Sequence, residues 1–172
     1  MVNLTNILGT DLKLNEFIKD KLGPDLSLDG SDLGVISGEM NLAQAILHRL
    51  RTIKGELADL GHPDYGSNIY ELVGEPNNEY TRERLRIIIN ETLKQERRVK
   101  EIISIIVRIP SNHRTYNIDN TKGIIKLAEI GTEDIDNLKA NRLESVEVNI
   151  TIIPIESNVP LNIVFPFYLE VV

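Results

Sequence analysis

Near residue 100 the spacing of apolar side chains changes period, and that change limits the folds open to the chain. Before it, Leu42, Ala45, Ile46, Leu50 and Ile53, then Leu85, Ile88, Ile89 and Leu93, recur in steps of three and four. Such steps put one apolar stripe on a helix. After it the step is two. In "SVEVNITIIPI", Val146, Val148, Ile150 and Ile152 fall on one side, and Glu147, Asn149 and Thr151 on the other. That is the period of a pleated strand. "LNIVFPFYLEVV" follows the turn "ESNVP", so the two runs predict an antiparallel hairpin. "EIISIIVRIP" is a further strand. Pro154 and Pro166 lack a ladder donor and point to a bulge or an edge.

A helical half ahead of a sheet-rich half is the α+β class. We expect an N-terminal arm over residues 1–38 and one α+β domain over 39–172. That domain is helical over 39–100 and sheet-rich over 101–172, with a mostly antiparallel sheet and a C-terminal hairpin. The arm carries glycines at 9, 23, 30, 34 and 38; its "LDGSDLGVISG" stretch reads as turns with at most a short strand, and the whole as an arm lying across a body or a neighbour, or as a plain strand and turn. The first helix covers Leu42–Ile53, with Ser37 or Asn41 as its cap and Gly55 as its stop. A short helix follows near Asn68–Val73. A longer one starts at Asn77 or Asn78, with Glu79 in its first turn. A strand or short helix is expected around Gly123–Ile130, and a helix in "GTEDIDNLKAN" capped by Thr132.

At 172 residues the chain can bury a core without staples. It has no cysteine, so disulfides and thiolate metal sites are excluded, and a reducing compartment suits it. Its net charge of −7 makes it a poor partner for nucleic-acid phosphates and for anionic membranes. No run has the ~18 apolar residues a membrane span needs. His48, His62 and His113 are far apart and form no metal-ligand spacing, and no phosphate-binding glycine pattern occurs. No metal and no cofactor is expected.

Between the helices lies "LRTIKGELADLGHPDYGSNIY". One reading is catalytic. Glu56 and Asp64 would flank a cleft as the two carboxyl groups of a glycosidase, assisted by Glu71 or Glu75. The other reading is structural, and it uses each residue. Thr52 and Gly55 end the first helix. Glu56 accepts main-chain N–H groups in the reversing chain. Pro63 fixes its own φ and pushes His62 to an extended conformation. Tyr65 offers a ring to pack, Gly66 permits a close backbone approach, and Ser67 caps the next turn. The structural reading is preferred, with no catalytic residue assigned.

These residues resemble a known family, the baseplate-wedge or sheath-initiator proteins of contractile phage tails and type VI secretion. Its hallmark is a Leu/Thr-x-x-Gly-Glu stretch followed by Pro-x-Tyr-Gly-Ser and a short helix. Here these stand as Leu50, Thr52, Gly55, Glu56, Pro63, Tyr65, Gly66 and Ser67. The family's next helix closes on Glu-Pro-Arg, where this chain has Glu96, Arg97 and Arg98. The middle residue departs from the pattern. The likeness covers residues 34–110, and more weakly the C-terminal strands. It implies a structural component, not an enzyme, in a sixfold baseplate of a virion tail or contractile particle assembled in the host cytoplasm. Its implied partners are baseplate wedge proteins, the sheath protein, and tail tube or hub proteins. By this resemblance Glu96, Arg97 and Arg98, with Leu42, Ile46 and Leu50, meet a helical bundle of the wedge. Ile163, Phe165, Phe167 and Leu169 on the C-terminal hairpin serve strand pairing with sheath subunits. Some relatives carry a lysozyme-like label, which keeps a peptidoglycan glycosidase as the alternative.

Overall fold

The computed structural model describes residues 7–15, 25–109, 124–126 and 145–169. Along them run β1 (Thr10–Leu12), β2 (Leu14–Asn15), β3 (Asp25–Leu26), β4 (Leu28–Asp29), β5 (Asp32–Leu33) and β6 (Val35–Ser37). Then come helix α1 (Gly38–Arg51), 3-10 turns at Ala58–Leu60 and Ile69–Leu72, and helix α2 (Glu79–Leu93). Strands β7 (Val99–Arg108), β8 (Ile124–Lys126), β9 (Ser145–Pro154) and β10 (Leu161–Tyr168) follow. The hairpin and α2 fall where the two periods place them, whereas α1 begins ahead of Leu42 and stops at Arg51, so that Thr52 and not Gly55 ends it and Ile53, 51% exposed, lies outside the helix. The helix expected in "GTEDIDNLKAN" lies outside the described residues. At Gly123–Ile130 the strand alternative holds for Ile124–Lys126.

The main sheet has the order β7-β9-β10-β8. β9 pairs antiparallel with β7 and β10, and β8 lies parallel to β10 over Asn162–Val164. Val146, Val148, Ile150 and Ile152 stand opposite Phe167, Phe165, Ile163 and Leu161. Both rows point to the helices. Leu42, Ile46, Leu47 and Leu50 of α1, and Leu85, Ile89 and Leu93 of α2, close over them as one core. Each such side chain contributes roughly 1.5–3 kcal/mol when fully buried.

α2 starts where expected. Asn78 Oδ1 accepts the N–H of Thr81 at 2.9 Å, which satisfies one of the donors a helix start leaves open. α1 differs in detail. Ser37 occupies the cap position without a side-chain cap bond. Asn41 turns away from the helix end and donates through Nδ2 to the Leu8 carbonyl at 2.9 Å. Pro166 pairs with Glu147 in unbroken register, beyond the last residue that β8 reaches.

The arm corrects an expectation. The "LDGSDLGVISG" stretch holds three short strands, β4, β5 and β6, where the sequence predicts at most one, and the described residues between 10 and 37 form three two-stranded antiparallel sheets. The sheets meet in a closed ring of main-chain bonds. Lys13 N–H donates to Gly34 O at 2.8 Å, Gly34 N–H to Ser27 O at 2.7 Å, and Ser27 N–H to Lys13 O at 2.9 Å. A Cβ on Gly34 would lie 3.1 Å from Ser27 O, so the ring closes tightly only around glycine. Hydrogen bonds between backbones leave no periodic trace in the side chains, which is why these strands escape pattern reading.

Candidate functional site

Two stretches meet at one end of the molecule. The last turn of α1 supplies Arg49, and the bend between α2 and β7 supplies Glu96 and Arg98. Glu96 is buried, 8% exposed. Arg98 holds it with a fork: Nε to Oε1 at 2.8 Å and Nη2 to Oε2 at 3.2 Å. The Arg98 main-chain N–H adds a bond to Oε1 at 3.2 Å. Arg49 Nη2 approaches Oε2 at 3.8 Å from the other side. Burial pushes the Glu96 carboxyl up, but the hydrogen bonds and charge of Arg98, with Arg49 behind them, outweigh it and hold the group below its ordinary value. The Glu96 bond in turn raises Arg98 against the opposing effect of its own burial.

The bend itself is a four-residue turn. Val99 N–H donates to Glu96 O at 3.0 Å, which makes Arg97 the second residue, the position where proline fits best. Arg97 therefore stands at a point where the turn is held by other bonds. Arg97 is exposed.

The same cluster fixes the corner loop. The Arg49 guanidinium lies over the Tyr65 ring, 4.4 Å from its centre, a cation–π contact. Burial raises the Tyr65 hydroxyl above its ordinary value, and the nearby Arg49 moderates that. Behind Tyr65 the loop closes on itself. Ser67 N–H donates to Thr52 O at 2.9 Å, Lys54 N–H to Ser67 O at 3.0 Å, and Gly55 N–H to Tyr65 O at 3.2 Å. Ser67 Oγ donates to Leu50 O at 2.6 Å and accepts from Ile69 N–H at 3.3 Å. Thr52 Oγ1 donates to His48 O at 2.8 Å, ending α1. Glu56 accepts the Ile53 N–H at 3.2 Å. Gly66 has φ +106°, and a Cβ there would lie 2.7 Å from both Thr52 O and Ile53 O. Pro63 is exposed at the outer side of the loop.

The arm is strapped to this cluster through main-chain atoms. The third nitrogen of Arg98, Nη1, donates to Leu8 O at 3.1 Å. Gln44 accepts from Leu14 N–H at 3.0 Å and donates to Leu12 O at 2.9 Å. Leu8 is fully buried in the core. The roles of Gln44, Asn41 and Arg49 were missed by sequence reading. A polar side chain inside an apolar helical stripe is the signal that marks them.

The other expected contact residues lie elsewhere. Leu42, Ile46 and Leu50 are core side chains of α1, and Ile163, Phe165 and Leu169 are core side chains at the C-terminal end. Phe167 is half-buried against the same core. Their side chains are taken up inside the chain, and β8 covers the outer side of β10 over Asn162–Val164. Glu56 and Asp64 are exposed on the corner loop. Among the described residues no group of His, Asp and Glu has the arrangement of a metal site, and no helix is long and apolar enough to cross a membrane.

Charged residues brace one another at the corner, and among the described residues β7 ends the main sheet. Residues 15–123 match the profile of the contractile injection system sheath initiators, and the chain belongs to that family. It is thus a structural component of a contractile injection system. Comparison with curated proteins gave no match. Among solved structures it is similar to a Geobacter sulfurreducens protein described as a candidate tail lysozyme. The TM-score is 0.50 at 19% identity, over 86% of this chain and 98% of that one. At that identity the likeness concerns the fold alone.

Proposed function

We propose that this chain sits in the baseplate, holds a helical bundle of the wedge at the Glu96–Arg98 corner, and templates the first sheath ring by strand pairing. One observation carries the second part. β7 ends the sheet and has no neighbour on its outer side among the described residues. It is ten residues long, Val99–Arg108, with Ile103 and Ile106 each 48% exposed. A free edge of that length exposes a row of unpaired main-chain groups, which a strand from another chain can complete. Beyond Val164 the outer side of β10 also extends past the described reach of β8. Sheath subunits would add strands at these edges, and wedge proteins would bind at the corner. Tube or hub proteins complete a sixfold particle assembled in the host cytoplasm.

Residue-resolved hydrogen exchange tests the edge. Adding purified sheath subunits is expected to protect alternate amides of residues 99–108, those that face away from β9. Protection that leaves β7 untouched while the complex forms overturns the strand-template reading. The enzymatic alternative has its own assay. Purified protein incubated with peptidoglycan is expected to release no fragments. Release that stops in Glu56→Gln would establish a glycosidase in place of a scaffold.

A further inference from the structure

Residues 48–54 and 94–100 carry seven of the chain's 19 Lys and Arg and one of its 26 Asp and Glu. The contact between Arg49 and Glu96 brings these two stretches together. The one acid within them, Glu96, is buried and engaged by two arginines, and Asp11 of the arm acts on Arg98 from nearby. A basic corner therefore stands out on an acidic chain.

Part of this charge has a local explanation. Arg49 and Arg51 lie in the last turn of α1, and Lys94 caps α2. Cations there offset the negative end of a helix dipole. Arg97 has no such role. It lies past the helix, in the turn from Glu96 to Val99, with its side chain exposed. That turn is closed by the Val99 N–H bond to Glu96 O and by the Arg98 fork. Nothing in the turn needs an arginine. Lys100 is exposed beside it and falls at a register shift in β7, so it too stands free of the ladder.

We infer that the corner docks an acidic polypeptide surface, and that Arg97 is the residue that selects for it. This rests on the proposal that wedge proteins bind at the corner, and it adds the chemistry of the face they present. Charge complementarity carries the argument: exposed cations on a chain of net charge −7 steer toward an acidic face and away from basic ones. A polypeptide fits better than a nucleic acid. A duplex presents a long row of phosphates, and the acidic remainder of this chain would repel all but a short segment of it.

The test uses the full chain, purified wedge subunits of its own particle, and a 30-base-pair DNA duplex as a second probe. Arg97→Glu, Arg97→Pro and the control Arg86→Glu, a charge change on the exposed face of α2, are compared at low and high salt. Thermal melts of both Arg97 variants are expected to match the unaltered chain, because Arg97 is exposed and its turn position suits proline, and that of Arg86→Glu to fall only slightly, because the Glu83 ion pair it breaks is exposed. Wedge binding is expected to weaken roughly tenfold or more in Arg97→Glu and several-fold in Arg97→Pro, with a flatter salt dependence, and to hold in Arg86→Glu. Equal weakening in Arg97→Glu and Arg86→Glu would assign the effect to bulk charge and overturn the inference. So would wedge binding that ignores Arg97. Wedge subunits that fail to bind the unaltered chain would overturn the wedge reading itself. Duplex binding lost in Arg97→Glu, without wedge binding, would replace the acidic polypeptide with a nucleic acid.

Discussion

Arg98 holds Glu96 through two of its guanidinium nitrogens and spends the third on the main-chain carbonyl of Leu8, ninety residues earlier. One side chain thus ties the α2–β7 bend to the N-terminal arm. Arg49 reaches the same carboxylate from α1. Glu96 is the point where three parts of the chain converge, and its charge is what the two arginines require.

That requirement has a pH signature. Glu96 sits below its ordinary value near 4.5 in the folded chain. The unfolded chain binds the proton more readily, so the stabilisation is fully present above about pH 4.5 and fades as pH falls through the folded value. Glu96→Gln is expected to cost about 2 kcal/mol at pH 7, since it leaves two arginines without their anion. The difference between the two proteins, read from urea melts, is expected to shrink from pH 5 toward pH 3. A difference that stays constant over that range would show that the charge does not matter.

The corner loop depends on one missing side chain. Gly66→Ala forces a Cβ against the Thr52 and Ile53 carbonyls at a positive φ. About 3 kcal/mol of destabilisation is expected. For a chain of this size that lowers Tm by roughly 6–12 °C. A melt within 2 °C or so of the unaltered chain would mean that the loop relaxes freely.

Gln44 offers the arm what a neighbouring strand would offer, one donor and one acceptor. Gln44→Glu keeps the acceptor for Leu14 N–H and removes the donor to Leu12 O. Amide exchange over residues 10–15 is expected to speed up about tenfold, with Tm changed by only a few degrees. Unchanged exchange there would assign the arm's hold to Leu8 alone.

How much of this is legible in the sequence depends on the kind of force involved. The α2 stripe, with Leu85, Ile89, Thr92 and Leu93 buried, and the β9 alternation follow from apolar spacing, so they read directly. The corner reads from local chemistry: Pro63, Gly66 and Ser67 each have a narrow range of uses. The pairing of Glu96 with Arg98 is also local. What does not read is whatever joins distant residues through hydrogen bonds, such as Asn41 with Leu8 or Gln44 with Leu12 and Leu14. Pattern also misplaces the wet face of β9. Glu147 reads as outward and polar, yet it is only 5% exposed, because Arg108 on β7 lies across it with Nε on Oε1 at 2.7 Å. Strand order is invisible as well. The hairpin near the chain end looks like the free border, whereas β10 is flanked on both sides over Asn162–Val164 and, among the described residues, the long border belongs to β7. Removing residues 160–172 would take out the core side chains Leu161, Ile163, Phe165 and Leu169, so that truncation reports on folding more than on assembly.

The two register shifts in β7, between Val99 and Glu101 and between Ile102 and Ser104, bear on solubility. A bulged border twists locally and cannot stack flush against a copy of itself. An incoming strand has to match that irregular outline or come from a chain that adapts to it. Such an outline discourages fibrous self-association along this border.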